Sequence, residues 1–125
     1  MKLRSIHIDK RFVPVFAENK DLPASDQVVI HFSRIPGTSE KMNYKGWKQD
    51  QSGAIQLSYN DSLLVATFVE RVENLEIDVN GKIKRIKNGT DLASANNPAL
   101  SELFAEIRDY LFPDNEDIPE GESDA

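Results

Sequence analysis

Two periods of hydrophobic alternation run along this chain, and the places where one gives way to the other predict its elements. Residues 27–33, QVVIHFS, are β-branched and aromatic, with turn residues before them and Pro36-Gly37 after. That composition predicts a strand with Val28, Ile30 and Phe32 on one face and Val29 and His31 on the other. Residues 3–8 alternate imperfectly, as expected of a short edge strand. In RFVPVFAENKDLPASD two prolines restrict their own backbone and that of the residue before, so an extended, irregular segment ending in a turn is expected. Along it Phe12, Val13, Val15 and Phe16 are candidate core anchors.

The period lengthens after residue 60. Leu64, Phe68 and Val72 recur at i, i+4 and i+8, with Leu63, Val65 and Val69 widening the stripe, which predicts a helix over 61–73 capped by Asn60, Asp61 or Ser62. A helix apolar around so much of its circumference needs contacts on more than one side. Residues 75–86, LEIDV-NG-KIKRI, carry the clearest local signal. Asn-Gly accepts the positive φ angles of a two-residue type I′ turn, so a hairpin is expected, with Glu76 and Asp78 opposing Lys82, Lys84 and Arg85. Asn97 as cap, Pro98 at the first helical position and Leu100, Leu103, Phe104, Ile107 and Leu111 at helical spacing predict a helix over 98–112, ended by Pro113. Thr38 or Ser39 is expected to cap a short helix through about Tyr44, and KGWKQDQSGA, residues 45–54, reads as a loop around Trp47. Together these elements predict an α+β fold: a small antiparallel sheet with a hairpin at 75–86 and two main helices, 61–73 and 98–112, packed on one face.

With 125 residues the chain is long enough for one ordinary core and too short for two packed domains. The formal charge of -6 is unevenly placed. Asp114, Glu116, Asp117, Glu120, Glu122 and Asp124 all lie in residues 113–125, where there is no Lys or Arg; without these six, the 21 acids of the chain become 15 against 15 bases. The expected organisation is therefore a neutral domain, 1–112, and a disordered acidic C-terminal tail, 113–125. A neutral body argues against the broad basic surface of nonspecific nucleic-acid binding, so no nucleic-acid partner is expected.

Cysteine is absent, which excludes disulfides, thiolate nucleophiles and thiolate metal sites. The two His have no companion at metal-ligand spacing, and no Ser sits in a Gly-flanked elbow. The acid pairs Glu70/Glu73 and Glu102/Glu106 fit a solvated helix face. Asp78-Val79-Asn80-Gly81 begins like a calcium loop, but its twelfth position would be Gly89 instead of a bidentate Glu; Gly81-Lys82 lacks the upstream glycine of a phosphate loop. Asn88-Gly89-Thr90 fits a glycosylation sequon and reads as a turn. The expectation is a non-enzyme with no catalytic residue, no cofactor and no metal. The basic run Lys82, Lys84, Arg85, Lys87 could meet phosphate, protect a strand edge from aggregation, or receive the acidic tail of the same or a neighbouring chain. The opening MKLRSIHIDKRF has no apolar run of signal-peptide length and no stretch approaches ~20 apolar residues, so a soluble intracellular protein, without a membrane partner, is expected.

Two stretches carry a resemblance. FVPVFAENKDLPASDQVVIHF, residues 12–32, is similar to the opening of small proteins encoded in tail modules of long-tailed bacteriophages and prophages. IKNGTDL, residues 86–92, with LSELFAEIRDYLF, resembles the closing helix of the same group. The group is that of the tail assembly chaperones. The resemblance implies a non-catalytic protein that binds and solubilises the tape measure protein, meets the major tail protein and self-associates. A client of that kind, long, helical and apolar, would be held in helix-in-groove fashion. Leu64, Phe68, Val72, Trp47, Phe12 and Phe16 are the candidate partner-binding residues, the competing reading of each being simple core. The alternative function is a structural virion protein, a tail or head-tail connector subunit; a regulator acting through Lys82–Lys87 is a third.

Overall fold

A short antiparallel sheet forms where the β-branched segments meet. The computed structural model describes residues 8–95 and 97–113. Within them β1 (Arg11–Phe12), β2 (Val29–Phe32) and β5 (Val69–Glu73) form one antiparallel sheet in the order β1-β2-β5. Two further hairpins stand apart from it, β3 (Lys45–Gln49) with β4 (Ile55–Tyr59), and β6 (Leu75–Val79) with β7 (Lys82–Ile86). The helices are α1 (Asp61–Phe68), α2 (Gly89–Ser94) and α3 (Ser101–Leu111). The α+β expectation is met. The proposed strand at 3–8 and the acidic tail lie outside the described residues, apart from Ile8 and Pro113.

Helix α1 is the central element. Asn60 caps it, its Oδ1 accepting from the Leu63 amide at 3.1 Å. Leu64, Val65 and Phe68 are fully buried, and α1 packs against both α2 and α3, as its wide apolar stripe requires. The helix ends at Phe68, five residues short of the expected 61–73, and the chain passes into β5 without a loop. The cause of the misreading is a β-bulge. Phe32 pairs with Val69 but His31 pairs with Arg71, so Glu70 is an extra residue in the ladder. The bulge turns the strand's period of two into a spacing of three, and Val69 and Val72 both face inward, at positions that a helix would also have buried. The Phe68 carbonyl confirms the switch by accepting from the Ser33 amide, beyond the end of β2, at 2.9 Å. The pair Glu70/Glu73 therefore lies on a strand and not on a helix face.

The hairpin at 75–86 forms with the expected two-residue turn. Asn80 and Gly81 take φ of 54° and 84°, Glu76 lies opposite Arg85, and Asp78 lies opposite Ile83. Leu75, Ile77 and Ile86 are buried against the body, and the Lys87 carbonyl accepts from the Val72 amide at 2.9 Å, tying the hairpin to β5. Residues 88–90 open a short helix that the sequence reading took for a turn. Asn88 caps it by accepting from the Asp91 amide at 2.8 Å. Gly89 sits directly on α1: a Cβ there would lie 2.3 Å from the Val69 carbonyl oxygen and 2.5 Å from that of Val65.

Two local devices hold the rest. Asn19, buried in a loop of 3₁₀ structure, donates through Nδ2 to the Pro14 and Val28 carbonyls at 2.8 and 3.1 Å and accepts the Val28 amide at 2.7 Å. It fixes the irregular 14–28 segment to the start of β2, while Ala17 and Glu18 take left-handed conformations beside it. The final helix begins with a 3₁₀ turn at Pro98–Leu100, where Asn97 accepts from the Ala99 amide at 3.0 Å, and Leu100, Leu103, Ile107 and Leu111 are buried. Among the described residues no helix is long and apolar enough to cross a membrane.

Gly89→Ala forces backbone carbonyls apart, so it should cost about 3 kcal/mol or more in denaturant unfolding. Gly46→Ala, which meets nothing within 4 Å, should stay within about 0.5 kcal/mol of the parent. Equal effects at the two positions would show that α2 does not depend on the close approach.

Candidate protein-binding surface

The six residues singled out for partner binding separate in the folded chain. Leu64 and Phe68 are completely buried on α1, Val72 is buried on β5 and Phe16 is buried beside Asn19. These four are core. Phe12 is half-buried, stacked on Tyr110 with ring centroids 4.3 Å apart and facing Phe32 at 6.4 Å. Trp47 is different: it is 75% exposed.

Trp47 owes its exposure to a hairpin that the sequence reading missed by taking 45–54 for a loop. The signal was present in the second strand, where Ile55, Leu57 and Tyr59 alternate, and in Asp50-Gln51-Ser52-Gly53, a turn sequence. Asp50 closes that turn: its Oδ1 accepts from the Ser52 and Ala54 amides at 2.9 and 3.0 Å and from the Ser52 hydroxyl at 2.6 Å. These bonds, with the Ser52 hydroxyl the largest contributor, hold the Asp50 carboxyl below the usual range.

The register decides what the hairpin presents. Trp47 lies directly opposite Leu57, Gln49 opposite Ile55 and Lys45 opposite Tyr59. Trp47, Leu57 and Ile55 therefore share one face of a two-stranded ribbon, and Ile55 is 65% exposed. The base of that face is anchored. Tyr59 stacks on Phe112 at 5.6 Å, Tyr44 meets Phe68 edge-on at 5.2 Å and Phe112 at 6.2 Å, and the Lys45 ammonium lies 4.8 Å from the Tyr59 ring centroid. The Asn60 amide donates to the Tyr44 carbonyl at 2.7 Å and closes the base. The tip half of the ribbon is left with its apolar face uncovered among the described residues. A two-stranded ribbon is marginal alone, and one that leaves Trp47 and Ile55 exposed beside a half-buried Leu57 is suited to covering by another polypeptide.

The 3₁₀ segment Thr38–Tyr44 leads into this hairpin and carries Met42, 60% exposed. Its cap is not Thr38 or Ser39. Glu40 reaches back to accept the Gly37 amide at 2.9 Å, and its two carboxylate oxygens accept from Arg34 Nη1 and Nη2 at 2.8 and 2.7 Å. The Arg34 fork, with the Gly37 amide second, holds the Glu40 carboxyl down at about 2, from an ordinary 4.5. The Arg34 guanidinium also lies over the Phe68 ring at 4.9 Å, so one side chain ties the segment to the core.

Elsewhere His31 is paired with Glu73 on the sheet, and Arg71 Nη1 donates to the same Glu73 oxygen at 3.0 Å. The His31 contact, ahead of Arg71, lowers the Glu73 carboxyl. On α3 Glu106 accepts the Val15 amide at 2.7 Å, which makes it a fastener of the 14–28 segment. Among the described residues no group of three His, Asp or Glu side chains is arranged to hold a metal ion. Comparison with protein-family models, with curated proteins and with solved structures returned no match.

Because the folded-state pKa of Glu40 is depressed, its contribution to stability is complete above its ordinary value and is lost as pH falls from 4.5 to about 2. The stability difference between the parent and Glu40→Gln, followed by urea unfolding across that window, should be constant above 4.5 and close towards 2. A difference that persists at the acid end would show that Arg34 does not set this pKa.

Proposed function

We propose that this protein is a non-catalytic tail assembly chaperone of a long-tailed bacteriophage or prophage, which holds the tape measure protein in solution, and that the Trp47–Leu57–Ile55 face is its client contact. The phage reading comes from the resemblance of residues 12–32, 86–92 and 100–112 to that group. The observation that carries the binding reading is the exposure of Trp47 on an ordered ribbon anchored at its base by aromatic stacking.

The energetics favour a binding role for this residue. A Trp side chain buries 150–250 Å² when covered, so at ~25 cal/mol/Å² its enclosure contributes about 4–6 kcal/mol before the cost of association. The ribbon offers a client helix an apolar stripe, and its strand edges offer an extended client backbone hydrogen bonds. The same surface could seat the tube subunit or a second copy in turn. The host cytoplasm, where tails are assembled, is the corresponding location.

Trp47 is the one Trp of the chain, so its fluorescence reports this face without labelling. Adding a purified tape measure segment should shift its emission to shorter wavelength, and co-expression should raise the solubility of the tape measure protein. Trp47→Ala should abolish that solubility gain while changing unfolding stability by less than about 1 kcal/mol, whereas Phe68→Ala should cost about 3–5 kcal/mol. An unshifted emission spectrum together with an insoluble client would reject the chaperone reading. Stoichiometric recovery of the protein from purified particles by mass spectrometry would favour a structural tail subunit instead.

A further inference from the structure

We propose that the groove between the β6–β7 hairpin and the end of α2 is the docking site of this chain's own acidic C-terminal segment, residues 114–125. The groove has a volume of about 860 Å³. Its apolar lining is Ile77, Val79 and Ala95, with Val79 45% exposed; Ile83 also borders it, from the opposite face of the ribbon, where it lies across from Asp78. Its rim is cationic: Lys82, Lys84, Arg85 and Lys87 all line it. None of these four forms an ion pair with another described residue, although Glu76 lies directly across the ladder from Arg85. Lys82 and Lys84 lie on the same face as Ile77 and Val79, and Arg85 on the other, so the groove gathers cations from both faces of the ribbon in a body whose acids and bases balance overall.

The segment that follows the last described residue has the complementary character. Its sequence, DNEDIPEGESDA, places Asp114, Glu116 and Asp117 on one side of Ile118 and Glu120, Glu122 and Asp124 on the other, with no basic residue. One apolar side chain flanked by carboxylates matches an apolar floor rimmed by ammonium and guanidinium groups. Single exposed ion pairs contribute little, so the recognition depends on several acting together with the burial of Ile118. The reach is sufficient. Leu100, at the start of α3, lines a pocket with Leu75 and Ile77 of β6. The 11 residues of α3 carry the chain roughly 16 Å from there at 1.5 Å per residue. Five extended residues carry Ile118 about 17 Å beyond Pro113, enough to return over that distance, and the seven that follow reach about 23 Å further.

Docking of this kind gives the basic run a role distinct from edge protection: the tail masks a cationic, apolar surface against acidic or phosphate-bearing ligands, and any such ligand must displace it. It is independent of the Trp47 face, which lies on the other hairpin.

The absence of cysteine allows one spin label to be placed on the full chain at Ser123→Cys. Amide signals of residues 77–87 and 94–95 should lose most of their intensity near the label at low salt. They should recover at about 1 M salt, where the Debye length falls to ~3 Å. Lys82→Glu with Lys84→Glu, both at exposed positions on the face of Ile77 and Val79, should remove the effect with the circular dichroism spectrum unchanged, and Ile118→Ser should weaken it. Mixing labelled chains with unlabelled, isotope-enriched chains tests whether the tail acts within its own chain; broadening confined to that mixture would assign the occupant to a second copy and overturn the proposal. Broadening centred on Trp47, or none at all, would overturn it equally.

Discussion

The close approach of Gly89 to the end of α1 is the constraint on which the arrangement of the whole C-terminal half rests. Helix α1 runs straight into β5, so the carbonyls of Val65, in the last turn of the helix, and of Val69, at the start of the strand, lie where helix and sheet join. Any side chain at residue 89 would occupy their space. With hydrogen there, α2 begins on top of that junction, Leu92 is completely buried, and the hairpin between β5 and α2 must close within the distance so defined. The Lys87 carbonyl bonded to the Val72 amide is the other end of the same closure. Core packing, sheet register and the placing of the basic groove therefore share one steric cause, and a methyl group is enough to disturb all three.

The irregular N-terminal part is held by a different principle. Residues 14–28 have little regular ladder, and Ala17 and Glu18 sit in a left-handed region that costs non-glycine residues of order 1–2 kcal/mol each. Asn19 offsets this by satisfying two buried carbonyls and one buried amide with a single side chain. Removing it would leave three polar groups without partners where desolvation is costly. The segment keeps its shape through polar satisfaction, whereas the α1–β5–α2 unit keeps its shape through contact.

Much of this was readable from residue order, and the failures have specific causes. The 75–86 hairpin was legible because its turn chemistry and its alternation are both local. The closing helix was legible because Asn97, Pro98 and the apolar spacing agree. The length of α1 was not, since a bulge at Glu70 lets Val69 and Val72 satisfy helical and strand spacing at once; only the pairing partner, β2, distinguishes them. Helix α2 was hidden because Asn88-Gly89 is also turn chemistry, and its helical use depends on contact with residues some twenty positions earlier. The four buried candidates for partner binding failed for a related reason: an apolar stripe specifies that a face is covered, not by what. Trp47 remains a candidate because its neighbours on the same face of the first strand, Lys45 and Gln49, are polar and leave it exposed.

The two hairpins show how similar local geometry serves opposite ends. In β6–β7 the apolar residues at the base, Leu75, Ile77 and Ile86, are spent on the body, and what remains outward mixes Lys82, Lys84 and Arg85 with Glu76, Asp78, Val79 and Ile83. In β3–β4 the base is secured by Tyr59 against Phe112, and the apolar residues nearer the tip are left outward. An exposed apolar ribbon invites self-association through the same contacts that serve a partner. A net charge of -6 on the chain adds like-charge repulsion between copies. The balance between that repulsion and the exposed apolar surface sets whether this face meets its own kind or another chain.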